Sequence, residues 1–265
     1  MKQFIYKAIP VLALVATMAS CDKDETTPTT PTTPTTPTTP TQGPTPVTPS
    51  LSGNNLSGAL ISLTMDYTSQ PAGSPIPVQI SSDMALAVFY NAPGSATLAD
   101  AGTVSVNNHT LEKQQNSSYL KWAYVGGTPS NLSFTNSSDW NIGGSSAVTA
   151  FSYNDNSAFP EYTGDMPTSV SKSAGVNLTL NSTTVTGADS VYVLIAAGNV
   201  SVLKTYSSKA GSITIPASEL KNLPATTDNS AVFEVCPVTY KEVVKNGKNY
   251  YSIKEYAKVS NININ

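Results

Sequence analysis

The chain has 265 residues, of which 39% are hydrophobic and only 12% charged, with a formal net charge of -3. All 14 basic residues are lysines, so no bidentate guanidinium clamp on phosphate or carboxylate can be built, and the acidic balance argues against nucleic acid as a partner. Low charge with abundant Ser, Thr, Asn and Gly is the composition of an extracellular β-rich protein, not of a cytoplasmic enzyme or a coiled coil.

Residues 1–20 open with Lys2 and Lys7, continue through an apolar run over 8–16 interrupted by Pro10, and end in small residues. This is the pattern of a secretory signal peptide, too short to span a bilayer, and it predicts a mature chain that starts at residue 21. Met18-Ala19-Ser20-Cys21 resembles the lipobox of bacterial lipoproteins, although Met18 stands where that family usually has Leu. The resemblance implies that Cys21 is the lipid-attachment residue and that the membrane is a partner through its acyl chains. Each buried methylene contributes about 0.8 kcal/mol, so more than one acyl chain anchors stably without a transmembrane helix. The cluster Asp22-Lys23-Asp24-Glu25 resembles the export signal of surface lipoproteins in glycan-foraging Gram-negative bacteria. That resemblance implies an outer-membrane location with the folded part on the extracellular side. An Asp at this place in other Gram-negative bacteria acts instead as an inner-membrane retention signal, and a solvated charge run is the third reading.

Residues 26–40 repeat Thr-Thr-Pro five times, and Thr/Pro-rich sequence continues to residue 49. Such a stretch cannot bury a core, so 21–50 reads as a disordered linker. Its prolines favour polyproline II at about 3.1 Å per residue, a reach on the order of 90 Å for residues 22–50.

Residues 51–265 are enough for one large domain or two small ones. Residues 51–165 carry eight acids and two lysines, whereas 166–265 carry six acids and nine lysines. The change falls at the turn-rich stretch Phe159-Pro-Glu-Tyr-Thr-Gly-Asp-Met-Pro167, which marks a boundary between an N-terminal β domain, 51–165, and a C-terminal one, 166–265.

In the first half, apolar residues recur at period two. Ile76, Val78 and Ile80 alternate, as do Ala85, Ala87 and Phe89, then Val104 and Val106. Asn107-Asn108 predicts a hairpin turn, because Asn tolerates the left-handed backbone that tight turns need. Leu120, Trp122 and Tyr124 predict the next strand, followed by strands near 132–134, 140–142 and 147–153. In the second half, turn residues separate seven candidate strands at 169–171, 176–180, 190–197, 200–206, 212–215, 231–240 and 250–264. Residues 216–223 could add one helical turn. This spacing predicts an immunoglobulin-like sandwich. The fold expected is therefore all-β: two β-sandwich domains, the second immunoglobulin-like, behind the linker.

Few residues could carry chemistry. His109 is the sole histidine and sits beside the Asn107-Asn108 turn, so neither a His-rich metal site nor a second catalytic histidine is available. Cys236 lies in an apolar run and reads as a buried core thiol, without a disulfide partner in the mature chain. Asp139, Asp155, Glu161 and Asp165 cluster near Trp140, Tyr153 and Tyr162, which leaves open a carboxylate pair for glycoside hydrolysis or a calcium site with Asn154 or Asn156. Solvated surface charge is the default for them. Exposed aromatic faces stack on sugar rings, and Trp140, Tyr119 and Tyr162 are the candidate ligand-binding residues, with Trp122 more readily placed in the core.

Two β-sandwich domains behind a lipobox resemble the surface lipoproteins of glycan-foraging Gram-negative bacteria. Major fimbrial lipoproteins share that plan, but their maturation cuts after an arginine and this chain has none. The expectation is a non-catalytic surface-anchored binding or adhesive module, with a glycan or a surface protein as partner and no cofactor, catalytic residue or metal. The alternatives are a glycan-acting hydrolase using first-domain carboxylates and a structural surface-assembly subunit. An exposed aromatic strip would favour the binder, a deep acidic cleft the hydrolase, and a long open edge strand the assembly subunit.

Overall fold

A computed structural model describes residues 55–69, 76–93, 95–122, 131–135 and 137–265. The signal segment, Cys21 and the Thr/Pro-rich linker lie outside these residues, as does Tyr124. The described chain is all-β, with strands β1 (Leu56–Ser69), β2 (Val78–Phe89), β3 (Val104–Val106), β4 (His109–Thr110), β5 (Glu112–Lys113), β6 (Tyr119–Trp122), β7 (Ser138–Ile142) and β8 (Phe151–Asp155). They are followed by β9 (Glu161–Tyr162), β10 (Ser169–Val170), β11 (Val176–Leu180), β12 (Val185–Thr186), β13 (Ser190–Ala197), β14 (Val200–Ser207) and β15 (Gly211–Ile215). A one-turn helix α1 (Ala217–Leu220) precedes the long strands β16 (Thr226–Lys245) and β17 (Lys248–Ile264).

One large sheet runs β14-β13-β16-β17-β1-β2-β6-β5, with β10 also pairing β17. β17 is antiparallel to β16 and parallel to β1, in an unbroken register from Gly58↔Tyr250 to Thr68↔Ser260. Strands from both halves thus share one hydrogen-bonded sheet. The sequence division at 165/166 marks a change in what covers that sheet, not a gap in it.

Side-chain alternation shows this directly. Tyr250, Ile262 and Ile264 of β17 point to one face, as do Ala231, Phe233, Val235 and Val243 of β16. On that face, the four-stranded sheet β4-β3-β7-β8 packs Val104, Val106, Trp140 and Ile142 with Leu60, Phe89, Val243 and Tyr250. Farther along, the pair β11-β15 packs Leu178, Leu180, Ile213 and Ile215 with Val193, Ile195, Phe233 and Val235. The opposite face forms its own cluster from Ile61, Leu63, Leu86, Val88, Tyr192, Cys236, Val238 and Val259.

The seven strands expected in the second half correspond to β10, β11, β13, β14, β15, β16 and β17. β16 and β17 exceed their expected lengths because the tip of their hairpin reaches into the first-half core, where Val243 and Tyr250 are buried. Asn246 and Gly247 close this hairpin with φ of 52° and 72°, the left-handed pair that a two-residue type I′ turn needs. Asn107 and Asn108, at φ 45° and 64°, close β3 and β4 in the same way, as the sequence predicts.

The Phe159 to Pro167 stretch is fastened to the sheet. Lys254 Nζ donates to the carbonyls of Asp155 at 3.0 Å and Ser157 at 2.5 Å, and Lys258 Nζ donates to the Gly164 carbonyl at 3.1 Å. Two lysines of one strand thereby tie down the chain between the covering layers.

Candidate functional site

The three aromatic candidates for ligand stacking are core residues. Trp140 on β7 is 1% exposed, Tyr119 on β6 is 1% and Tyr162 on β9 is 3%. Trp140 alternates with exposed Asp139 and Asn141, which places its ring inward against the large sheet. Tyr119 donates to Asp100 Oδ1 at 2.6 Å and accepts from the Ala101 N–H at 2.8 Å, so its hydroxyl is a packing clamp. Burial, then the bond to Asp100, pushes its phenol up to about 12. The Tyr162 hydroxyl donates to the Asp165 carbonyl. None of the three offers a flat face to a sugar, because period-two alternation buries the aromatic positions and exposes the polar ones.

The carboxylates differ in their surroundings. Asp139, Glu161 and Asp165 are exposed, whereas Asp155 is 2% exposed. Asp155 Oδ2 accepts from Ser252 Oγ at 2.8 Å, and Oδ1 accepts from Ser157 Oγ at 2.5 Å and faces Lys254 Nζ at 3.5 Å. Burial opposes ionisation of Asp155, but the Ser157 and Ser252 bonds and the Lys254 charge together hold its carboxyl below the ordinary value. It is thus a buried ion-pair partner, bonded by Ser157 and Ser252 and facing Lys254. Among the described residues, no group of three or more His, Cys, Asp or Glu could hold a metal ion. His109 is half-buried in β4, opposite Val106.

A second carboxyl pair, which sequence reasoning missed, lies on the opposite sheet face. Glu234 of β16 and Glu255 of β17 are 2% and 5% exposed beside Cys236, in the cluster of Tyr192, Val238 and Val259. No hydrogen bond or ion pair joins either carboxyl to a described residue. Burial, then the neighbouring Glu255 charge, pushes Glu234 up to about 8, and burial pushes Glu255 up to about 7. Burial raises the Cys236 thiol as well, so it is not a nucleophile.

Exposed large apolar side chains include Val78 and Ile80 of β2, Val200 and Leu203 of β14, and Val244 of β16. Of these, Val200 and Leu203, at 37% and 41%, lie on an end strand of the large sheet. β14 pairs along its whole length with β13, from Ala197↔Val200 to Ser190↔Ser207, and has no other ladder neighbour among the described residues. Gly198, at φ 59°, opens the two-residue type II′ loop that joins β13 to β14. In such a hairpin the closing residues form a hydrogen-bonded pair, and the bonding then alternates along the strand. Val200, Val202, Lys204 and Tyr206 therefore bond to β13, while Ser201, Leu203, Thr205 and Ser207 direct both N–H and C=O away from it, the Ser207 carbonyl accepting from the Ala210 N–H at 3.1 Å.

Comparison with protein-family models, with curated proteins and with solved structures finds no match to this chain. The other end of the sheet is β5, two exposed residues of opposite charge, Glu112 and Lys113, which is the usual way to blunt an edge. β14 lacks such protection. It has eight residues, no proline, and one charge, Lys204, whose side chain lies on the opposite face from Leu203 and is held by Glu219 of α1. An uncharged row of donors and acceptors with no ladder partner among the described residues, beside an exposed leucine, is suited to strand addition.

Proposed function

We propose that the chain is a non-catalytic, surface-anchored lipoprotein that works as a binding module, and that it engages its partner by pairing through the β14 sheet edge. The observation that carries this reading is the open eight-residue strand, with Ser201, Leu203 and Thr205 presenting backbone groups outward and Leu203 exposed beside them. It favours the assembly form of the module over sugar stacking, since Trp140, Tyr119 and Tyr162 are buried. It also favours assembly over hydrolysis, since Asp155 is bonded to Ser157 and Ser252 and faces Lys254, while Asp139, Glu161 and Asp165 are solvent-exposed.

Anchoring rests on the lipobox resemblance of Met18-Ala19-Ser20-Cys21, with the Thr/Pro-rich linker as spacer. Among the described residues, no helix is long and apolar enough to cross a membrane. Protease shaving of intact cells expressing the full-length chain, beside a Cys21→Ala control, tests this. The expected result is release of the folded region from outside and loss of membrane association in the control. A folded region that stays protected while membrane-bound would replace surface display with periplasmic retention.

A further inference from the structure

We infer that the occupant of the β14 edge is the β14 edge of a second copy of this chain, forming one sheet that is continuous across a two-fold axis. The inference rests on the reading of β14 as an interaction edge and adds the identity of the partner. Its basis is that the strand is self-complementary. In an antiparallel pairing, outward-directed residues must face outward-directed residues. Ser207 has its carbonyl committed to the Ala210 N–H, which leaves Ser201, Leu203 and Thr205 with both groups open among the described residues, and only one register brings all three of these opposite all three of the other strand. It places Leu203 opposite Leu203 of the second copy, and Ser201 opposite Thr205 in both directions.

Each contact in that register is favourable. The two leucines, each 41% exposed in one chain, cover one another at the centre. The Ser and Thr hydroxyls meet across the strands, a pairing that supports sheets. Lys204 faces Val202, not another lysine, and its own charge is already met by Glu219. Val200, also exposed, comes opposite Tyr206, which is half-buried. A closed isologous contact follows, in which the same patch serves on both sides and no free edge is left at β14. An interface made by one strand edge belongs with the small, transient class, so it suits copies concentrated on a membrane better than dilute ones. Chains tethered by a linker with a reach on the order of 90 Å could meet this way.

Site-specific crosslinking tests the register. Full-length chain carrying Leu203→Cys is treated with a short bis-maleimide, beside Ser201→Cys. In the inferred register, positions 203 of the two copies are directly opposite, whereas the two positions 201 are four residues apart, roughly 13 Å. The expected result is a product of twice the chain mass from Leu203→Cys, at least tenfold more than from Ser201→Cys. Adding Thr205→Pro should abolish it, since that proline removes an outward N–H and leaves the β13 ladder intact. A circular dichroism spectrum unchanged by Thr205→Pro shows that the fold is retained. Equal yields at 201 and 203, or no doubled product at either, overturn the inference. On displaying cells, a Leu203→Cys product of a different mass that is lost with Thr205→Pro would overturn the second copy as partner and leave the edge reading standing. No product of any mass at position 203 overturns both.

Discussion

Glu234→Gln should remove a pH dependence that the fold builds in through its buried carboxyls. In the unfolded chain a glutamate titrates near 4.5, whereas in the fold Glu234 titrates at about 8 and Glu255 at about 7. Between these values the folded state keeps protons that the unfolded state has released. Stability is therefore highest on the acid side and falls as pH rises, by about 1.4 kcal/mol per pH unit for each group. From pH 5 to 7 the loss through Glu234 alone is about 3 kcal/mol. The slope flattens above about 7 for Glu255 and about 8 for Glu234, where the folded state ionises too. Asp100 and Asp155 have the opposite sign, because their carboxyls are held low by hydrogen bonds and lysines. Their contribution is complete above the ordinary value of 3.8 and is lost only as pH falls through their depressed folded values, so it is constant between pH 5 and 8. Urea unfolding of the full chain at pH 5, 6, 7 and 8 measures the effect, and thermal melts should show the two groups together as a Tm lower by roughly 10–20 °C at pH 7 than at pH 5. Gln has the shape of Glu and does not titrate, so Glu234→Gln should remove about half of the slope and the double variant with Glu255→Gln nearly all of it. Stability that is flat or rises from pH 5 to 7 in the wild type, or a slope unaltered in the double variant, would refute the reasoning.

Lys254→Ala should cost about 3–5 kcal/mol, because it leaves Asp155 charged and buried and frees the carbonyls of Asp155 and Ser157; urea unfolding at pH 7 measures it, and a loss under 1 kcal/mol would show that the lysine is dispensable. Trp140→Ala should cost about 3–5 kcal/mol through the cavity it opens, with no specific loss of sugar binding on a glycan array; a variant of wild-type stability would contradict the buried placement. Gly247→Ala should cost about 1 kcal/mol, since an L-residue is strained at φ 72° although nothing lies within 4 Å of the added methyl; an unchanged melt would mean that the turn relaxes.

Much of the strand pattern was legible because burial on one side of a sheet writes itself into the sequence at period two. Ala85, Ala87 and Phe89 read as a strand face and form one, and the strands of the second half lie close to where their turn residues place them. β1 carries the same signal, with Ala59, Ile61, Leu63, Met65 and Tyr67 on alternate positions, and it is the strand that joins the two halves. Asn246-Gly247 was likewise a readable hairpin turn. The candidate site was much less legible. Trp140 sits in a polar segment, yet alternation within that segment turns the ring inward.

By itself the sequence determined the all-β class, most strand positions and the core placement of Cys236, since these depend on local alternation and turn chemistry. It could not reveal that β1 runs parallel to β17, because a parallel register between segments nearly 200 residues apart leaves no local mark. Nor could it decide which strand ends the sheet. β14 and β13 have similar texture in sequence, and only the pairing of β13 with β16 makes one central and the other an edge. The burial of Glu234 and Glu255 was equally hidden, because a glutamate in a strand is ordinarily solvated and becomes costly only when both faces of its sheet are covered. Edges and buried charges are properties of how strands are ordered in space, and that order was set by tertiary packing.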